Sequence, residues 1–139
     1  MQDAGLATQL FDLLTEDEET IDYQTQHLRF YIGLLADRLI AATGWLFQTH
    51  DDNSNQIKIG YFRDSTGAAA ALAAAAKRTD TIRAIVTRRG RPDLADPYLN
   101  RAKAPTLLIV GGYDTPAIRI NQKAFEKYTI YLKKKAKKA

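Results

Sequence analysis

The chain has 139 residues, no cysteine and a formal net charge of +4. That length suits one domain with a single core, and the missing cysteine excludes a disulfide framework, a thiolate nucleophile and a thiolate metal site. No apolar stretch approaches the roughly 20 residues of a membrane span, and the N-terminus lacks the basic-then-apolar layout of a secretory signal. The reading is therefore one cytoplasmic soluble domain over 1–139 with a basic tail at 133–139.

The charge is unevenly divided. Met1 to Ile57 carries ten acids and two bases, net −8, whereas Lys58 to Ala139 carries six acids and eighteen bases, net +12. The halves attract each other, which assists docking of one on the other, although exposed pairs each add little.

In chain order, Gly5 to Leu14 is apolar and β-compatible and predicts a buried strand over Leu6 to Phe11. Thr15 with Glu18 three residues later matches a capping box, and the acids at 16–19 suit the positive end of a helix, so a short helical turn is expected there. Four adjacent carboxylates without a histidine read as a solvated face and not as a metal site. From Gln24 to about Gln48, Leu28, Tyr31, Leu35, Leu39, Ala42 and Leu46 recur at three- and four-residue steps, the stripe of an amphipathic helix. Thr49 to Asn55 is a polar loop.

A second strand is expected at Ile57 to Phe62, followed by a sharp turn through Ser65 and an alanine-rich helix from about Thr66 to Lys77. Ile82 to Val86 predicts a further strand, Arg88 to Leu94 a loop, and Ala104 to Gly112 a buried strand bounded by proline and paired glycines. A last helix is expected from Pro116 through the 130s, turning Ile120, Phe125, Tyr128 and Leu132 inward. Alternating strands and helices predict an α/β fold: a three-layer sandwich around a mostly parallel sheet of about four strands.

Arg63-Asp64-Ser65-Thr66-Gly67 sits where a strand turns through a serine into a helix, the layout of the Gly-x-Ser-x-Gly nucleophile elbow. Taken with the stretches Gly5 to Thr15, His27 to Phe30, Gly60 to Phe62, Gly90 to Leu94 and Pro105 to Gly112 with Asp114, the chain resembles the dienelactone-hydrolase branch of the α/β-hydrolases. Their order and spacing carry the match. The resemblance implies a partial α/β-hydrolase fold, shortened at both ends relative to the family, and a small-molecule ester as substrate. It places Ser65 as nucleophile, Asp114 as acid and the Thr66 N–H as oxyanion donor, with no cofactor or metal.

A serine hydroxyl needs a base, and this fold orders the triad serine, acid, histidine. His27 and His50 both precede Ser65, so no base is assigned. Arg63 stands where the elbow's first glycine belongs, Arg89 stands at another position where the family favours glycine, and the glycine-rich loop that gives the second oxyanion donor is not in the chain. The expectation is a fragment or degenerate copy with weak or no ester hydrolysis. Two alternatives stay open: an active hydrolase whose base comes from His27, His50 or a partner chain, and a non-catalytic module binding anionic partners through the basic half. For the latter, no nucleic-acid motif or stacking pattern accompanies Arg88, Arg89, Arg91 and the terminal lysines. In this fold a further strand lies between the Leu6 to Phe11 strand and the Ile57 to Phe62 strand. These two must therefore pair directly or leave a gap that another chain fills, and exposed sheet edges favour self-association.

Overall fold

The computed structural model describes residues 2–50, 57–128 and 132–137, with backbone alone for Gln2 and for 132–137. Four parallel strands form one sheet in the order β1 (Ile59–Asp64), β2 (Ile82–Arg88), β3 (Thr106–Gly111) and β4 (Leu132–Lys137). The helices are α1 (Glu16–Thr25), α2 (Ile32–Thr49), α3 (Ser65–Lys77) and α4 (Thr115–Lys127). Parallel strands joined through helices give the α/β class expected from the alternation of elements.

One face of the sheet makes the core. Tyr61 donates to or accepts from Thr43 of α2 at 2.7 Å, and Tyr128, just past α4, meets Thr106 of β3 at 3.0 Å. Each pair satisfies two hydroxyls inside the core, where an unpaired one would be costly. Ala68 through Ala76 of α3 are all buried. A helix of alanines can approach strands and other helices closely on all sides, so α3 occupies the centre of the helical layer.

The second helical layer of the expected three-layer sandwich is not found among the described residues. The contacts of α2, α3 and α4 lie on the face of Tyr61 and Thr106, while on the other face Gly60, Phe62, Asp64, Ala84 and Arg88 are exposed and Val86, Leu107 and Ile109 are only half-buried. Buried parallel sheets are normally covered on both faces.

The sheet has the expected number of strands but not the expected membership. Leu6 to Phe11 forms no strand; Leu6 is 55% and Leu10 is 92% exposed. An extended segment becomes a strand only with a ladder partner, and among the described residues β1 is bonded through its backbone to β2 alone. The fourth strand is instead Leu132–Lys137, within the region expected to continue the last helix. Its lysines are good helix formers, but pairing with β3 along six residues, Thr106↔Leu132 to Gly111↔Lys137, overrides that weak preference. Correspondingly, α4 turns Asn121 and Ala124 into the core and leaves Phe125 exposed.

The helix expected from Gln24 to Gln48 begins later, at Ile32. Gln26 ends α1 in the left-handed region, φ 55°, with its N–H on the Asp22 carbonyl at 2.7 Å. The Asp22 carboxylate then accepts from the Arg29 backbone N–H and Nε, at 3.1 and 2.6 Å, which favours a turn over further helix. The stripe that results is Ile32, Leu35, Ala36, Leu39 and Thr43, with Tyr31 exposed. The capping box is formed as expected, Thr15 Oγ1 accepting from the Glu18 N–H and Glu18 from the Thr15 N–H, and it opens a helix of ten residues, not a single turn. Of the polar loop expected at 49–55, residues 51–55 lie outside the described ones. No helix among the described residues is long and apolar enough to cross a membrane.

Candidate active site

β1 ends at Asp64 and α3 begins at Ser65, with no residue between them. The chain makes that corner by placing Ser65 at φ 48°, in the left-handed region that a residue with a side chain rarely adopts. A strained serine at the carboxyl end of a parallel strand, opening a helix, is the geometry of a nucleophile elbow. Ser65 is exposed and Thr66 half-buried.

The elbow is held by the loop after β2. Arg91 donates its N–H to the Ser65 carbonyl at 3.0 Å, and Arg89, itself at φ 51°, donates its N–H to the Ile109 carbonyl of β3 at 2.8 Å. Arg89 thus adopts the backbone conformation that makes glycine the easier residue at this position. Gly90 between them is buried, and its carbonyl accepts from Asn121 Nδ2 of α4 at 3.1 Å.

Arg63 neither swings into solvent nor displaces the elbow's packing. Its stem lies over Gly67, where a Cβ would stand 3.6 Å from the Arg63 Cβ and Nε. Its guanidinium lies 5.5 Å from the centre of the Phe11 ring and donates to the Phe11 carbonyl at 3.4 Å. Burial lowers its pKa, while Asp64 and Asp12 oppose the shift. Nε has no partner among the described residues. The arginine therefore gains ring and stem contact and gives up one hydrogen bond.

Two open clefts meet at Ser65 and Thr66. One, of about 260 Å³, is walled by Asp12, Leu13, Leu35, Arg63 and Gly67; the other, of about 540 Å³, by Asp22, Tyr23, Phe30 and Arg91. Leu14, Glu19 and Arg29 line both. Two ion pairs stand in the larger cleft's wall. Burial pushes the Asp22 carboxyl up, but hydrogen bonds from the Arg29 side chain and backbone outweigh it and hold the group below its ordinary value. Arg91 forms a two-pronged pair with Asp93, 2.9 and 2.8 Å, which raises its own pKa. Asp22 and Arg29 were not singled out as site residues from sequence; they are seven positions apart and meet only because the helix breaks between them.

Ser65 and Thr66 stand together at the clefts, and Asp114 stands two strands away. Asp114 lies past the carboxyl end of β3, at the same end of the parallel sheet as Ser65, with β2 between. Its carboxylate caps α4, accepting from the Ala117 N–H at 3.1 Å, and it lines neither cleft. His27 and His50 are exposed and also line neither; Nδ1 of His27 meets Thr25 Oγ1 at 2.7 Å, and Nδ1 of His50 meets the Leu46 carbonyl at 3.0 Å. Among the described residues no group of three or more histidines and acids could hold a metal ion.

No protein-family model matches the chain. It is 52% identical over 121 residues to a Mycobacterium tuberculosis protein named "Putative phosphoribosyl transferase", a match found in two strains. The matched segment is 87% of this chain and 26% of that protein, so the chain spans about a quarter of the curated relatives it matches. Among solved structures, a dienelactone hydrolase from Anabaena variabilis superposes with a TM-score of 0.83 and 55% identity, covering 97% of this chain and 63% of its own. A monoacylglycerol lipase from Paleococcus ferrophilus superposes at 0.53 with 14% identity, covering 73% and 66%, and bears on the fold alone. Strand order, elbow and this likeness agree: the chain carries a part of the α/β-hydrolase fold and is similar to its dienelactone-hydrolase branch.

Proposed function

We propose that the chain carries the nucleophile half of a serine hydrolase site for carboxylic esters and that, alone, it turns esters over weakly or not at all. The observation that carries this reading is Ser65 at φ 48° between β1 and α3, at the junction of two clefts. In the reaction, Ser65 Oγ attacks the ester carbonyl carbon, its proton passes to a base, and the alkoxide leaves with a proton as the alcohol. Water then hydrolyses the acyl-serine, returning the hydroxyl and releasing the acid. The Thr66 N–H, in the first turn of α3, is the donor for the oxyanion, assisted by the helix dipole.

The weak turnover follows from what faces Ser65. Neither histidine lines its clefts, and Asp114 is engaged as a helix cap. Loss of one oxyanion donor alone costs on the order of 10²–10³ in rate, and loss of the base costs more. The transferase name describes a relative of which this chain spans 26%, so the hydrolase reading rests on the elbow instead.

The test is acylation by p-nitrophenyl acetate, read by mass spectrometry, with and without added imidazole. The expected result is an acetyl group on Ser65 when imidazole supplies the base, none in Ser65→Ala, and turnover without imidazole no higher than that of Ser65→Ala. Absence of acetyl-Ser65 under every condition would overturn the nucleophile assignment. Rapid Ser65-dependent turnover without imidazole would overturn the weak-activity reading.

A further inference from the structure

The two edges of the sheet differ in kind. β4 reads Leu-Lys-Lys-Lys-Ala-Lys, the charged edge by which sheets discourage another strand from adding. β1 reads Ile-Gly-Tyr-Phe-Arg-Asp, is bonded among the described residues to β2 alone, and leaves Phe62 48% exposed. We propose that this edge binds a second copy of the chain, the two β1 strands pairing antiparallel about a two-fold axis at Tyr61.

The register follows from the side-chain pattern. Residues directly opposite in an antiparallel pair point to the same face, so a two-fold axis between like strands pairs only positions of the same parity. Centred on Tyr61, it sets Gly60 opposite Phe62 and Lys58 opposite Asp64, each pair occurring twice. All four positions are exposed, and Gly60, Phe62 and Asp64 lie on the face the helices leave open. Phe62 of each copy then covers a glycine, which has no side chain to oppose it, and an ammonium meets a carboxylate. Neighbouring registers lack both matches. Centred on Phe62, Asp64 falls opposite Gly60 and Lys58 opposite Thr66, inside α3; centred on Gly60, Lys58 falls opposite Phe62.

The pairing reaches the Ser65 clefts without depending on their chemistry. Asp64 lines the smaller cleft, so Lys58 of the second copy stands at its mouth. Asp64 already holds Arg88 at 3.0 Å, and the added lysine gives it a second cation. One ladder over about seven residues is smaller than a standard interface of about 1,600 Å², so the dimer forms and dissociates with concentration.

Because the chain has no cysteine, introduced thiols report the register directly. The experiment combines light scattering of the unmodified chain over a concentration series with oxidation of Lys58→Cys and Asp64→Cys variants, separately and mixed. The expected result is a rise with concentration from 15.5 kDa towards twice that mass, and a disulfide-linked dimer in the mixture only. Lys58→Asp weakens the dimer, and Lys58→Asp with Asp64→Lys restores it, with circular dichroism checking that each variant is folded. A chain that stays monomeric throughout, or whose mixed variants cross-link no more than each alone, overturns the proposal; the first result would instead leave the edge to a different protein, the second to a different face.

Discussion

Gly90 lies against Ala68 with no room for a methyl group: a Cβ at position 90 would stand 2.7 Å from the Ala68 Cβ and 3.1 Å from Thr87 Oγ1. The loop that fixes the elbow through Arg91 is thereby clamped onto the first turn of α3. Gly90→Ala is expected to cost about 1–3 kcal/mol, the usual penalty for overpacking a buried site. Ala68→Gly costs about 1 kcal/mol from helix propensity. Because the two share one contact, the double variant should lose less than the sum, measured as urea midpoints at constant slope.

Ser65→Gly should stabilise the chain while removing the proposed nucleophile. The left-handed backbone at Ser65 costs roughly 1–2 kcal/mol for a residue with a Cβ, and glycine adopts it freely. Ser65→Ala keeps the strain. The glycine variant is therefore expected to unfold at a higher urea concentration than the alanine variant, and equal midpoints would count against strain at the elbow.

Asp114 offers a way to separate capping from catalysis. Asp114→Ala removes the acceptor for the Ala117 N–H and should cost about 1 kcal/mol, whereas Asp114→Asn keeps a good cap and should cost little. If the asparagine variant also keeps the imidazole-assisted acylation of Ser65, the carboxylate has no part in that step.

Glu18 predicts the acid limb of stability. A hydrogen bond from the Arg38 guanidinium, at 2.6 Å to Oε1, with the Thr15 backbone N–H, lowers its pKa from 4.5 to about 2. Because the folded value is below the unfolded one, the stabilisation is complete above about pH 4.5 and is lost as the pH falls towards 2. Glu18→Gln should flatten that part of a thermal-midpoint profile. The pair joins α1 to α2, and Arg38 also donates to the Leu13 carbonyl at 2.6 Å, so the acid loss should loosen the N-terminal part first.

The elements whose patterns are complete in themselves were legible from sequence. The capping box of α1, the alanine helix and the strands within Ile82 to Arg88 and Ala104 to Gly112 depend on local propensity or on an uninterrupted apolar run. Ser65 was legible for the same reason, since strand, turn and helix follow within a few residues.

What only the tertiary structure decided was pairing. Whether Leu6 to Phe11 becomes a strand depends on a neighbour that local sequence does not contain, and whether Leu132 to Lys137 becomes helix or strand depends on β3 lying beside it. Arg63 and Phe11, 52 positions apart, meet because the fold crosses them, and Asp22 meets Arg29 because a turn replaces a helix. The sequence by itself determined where a nucleophile elbow could form; long-range contacts determined its left-handed serine and its clamp at Gly90.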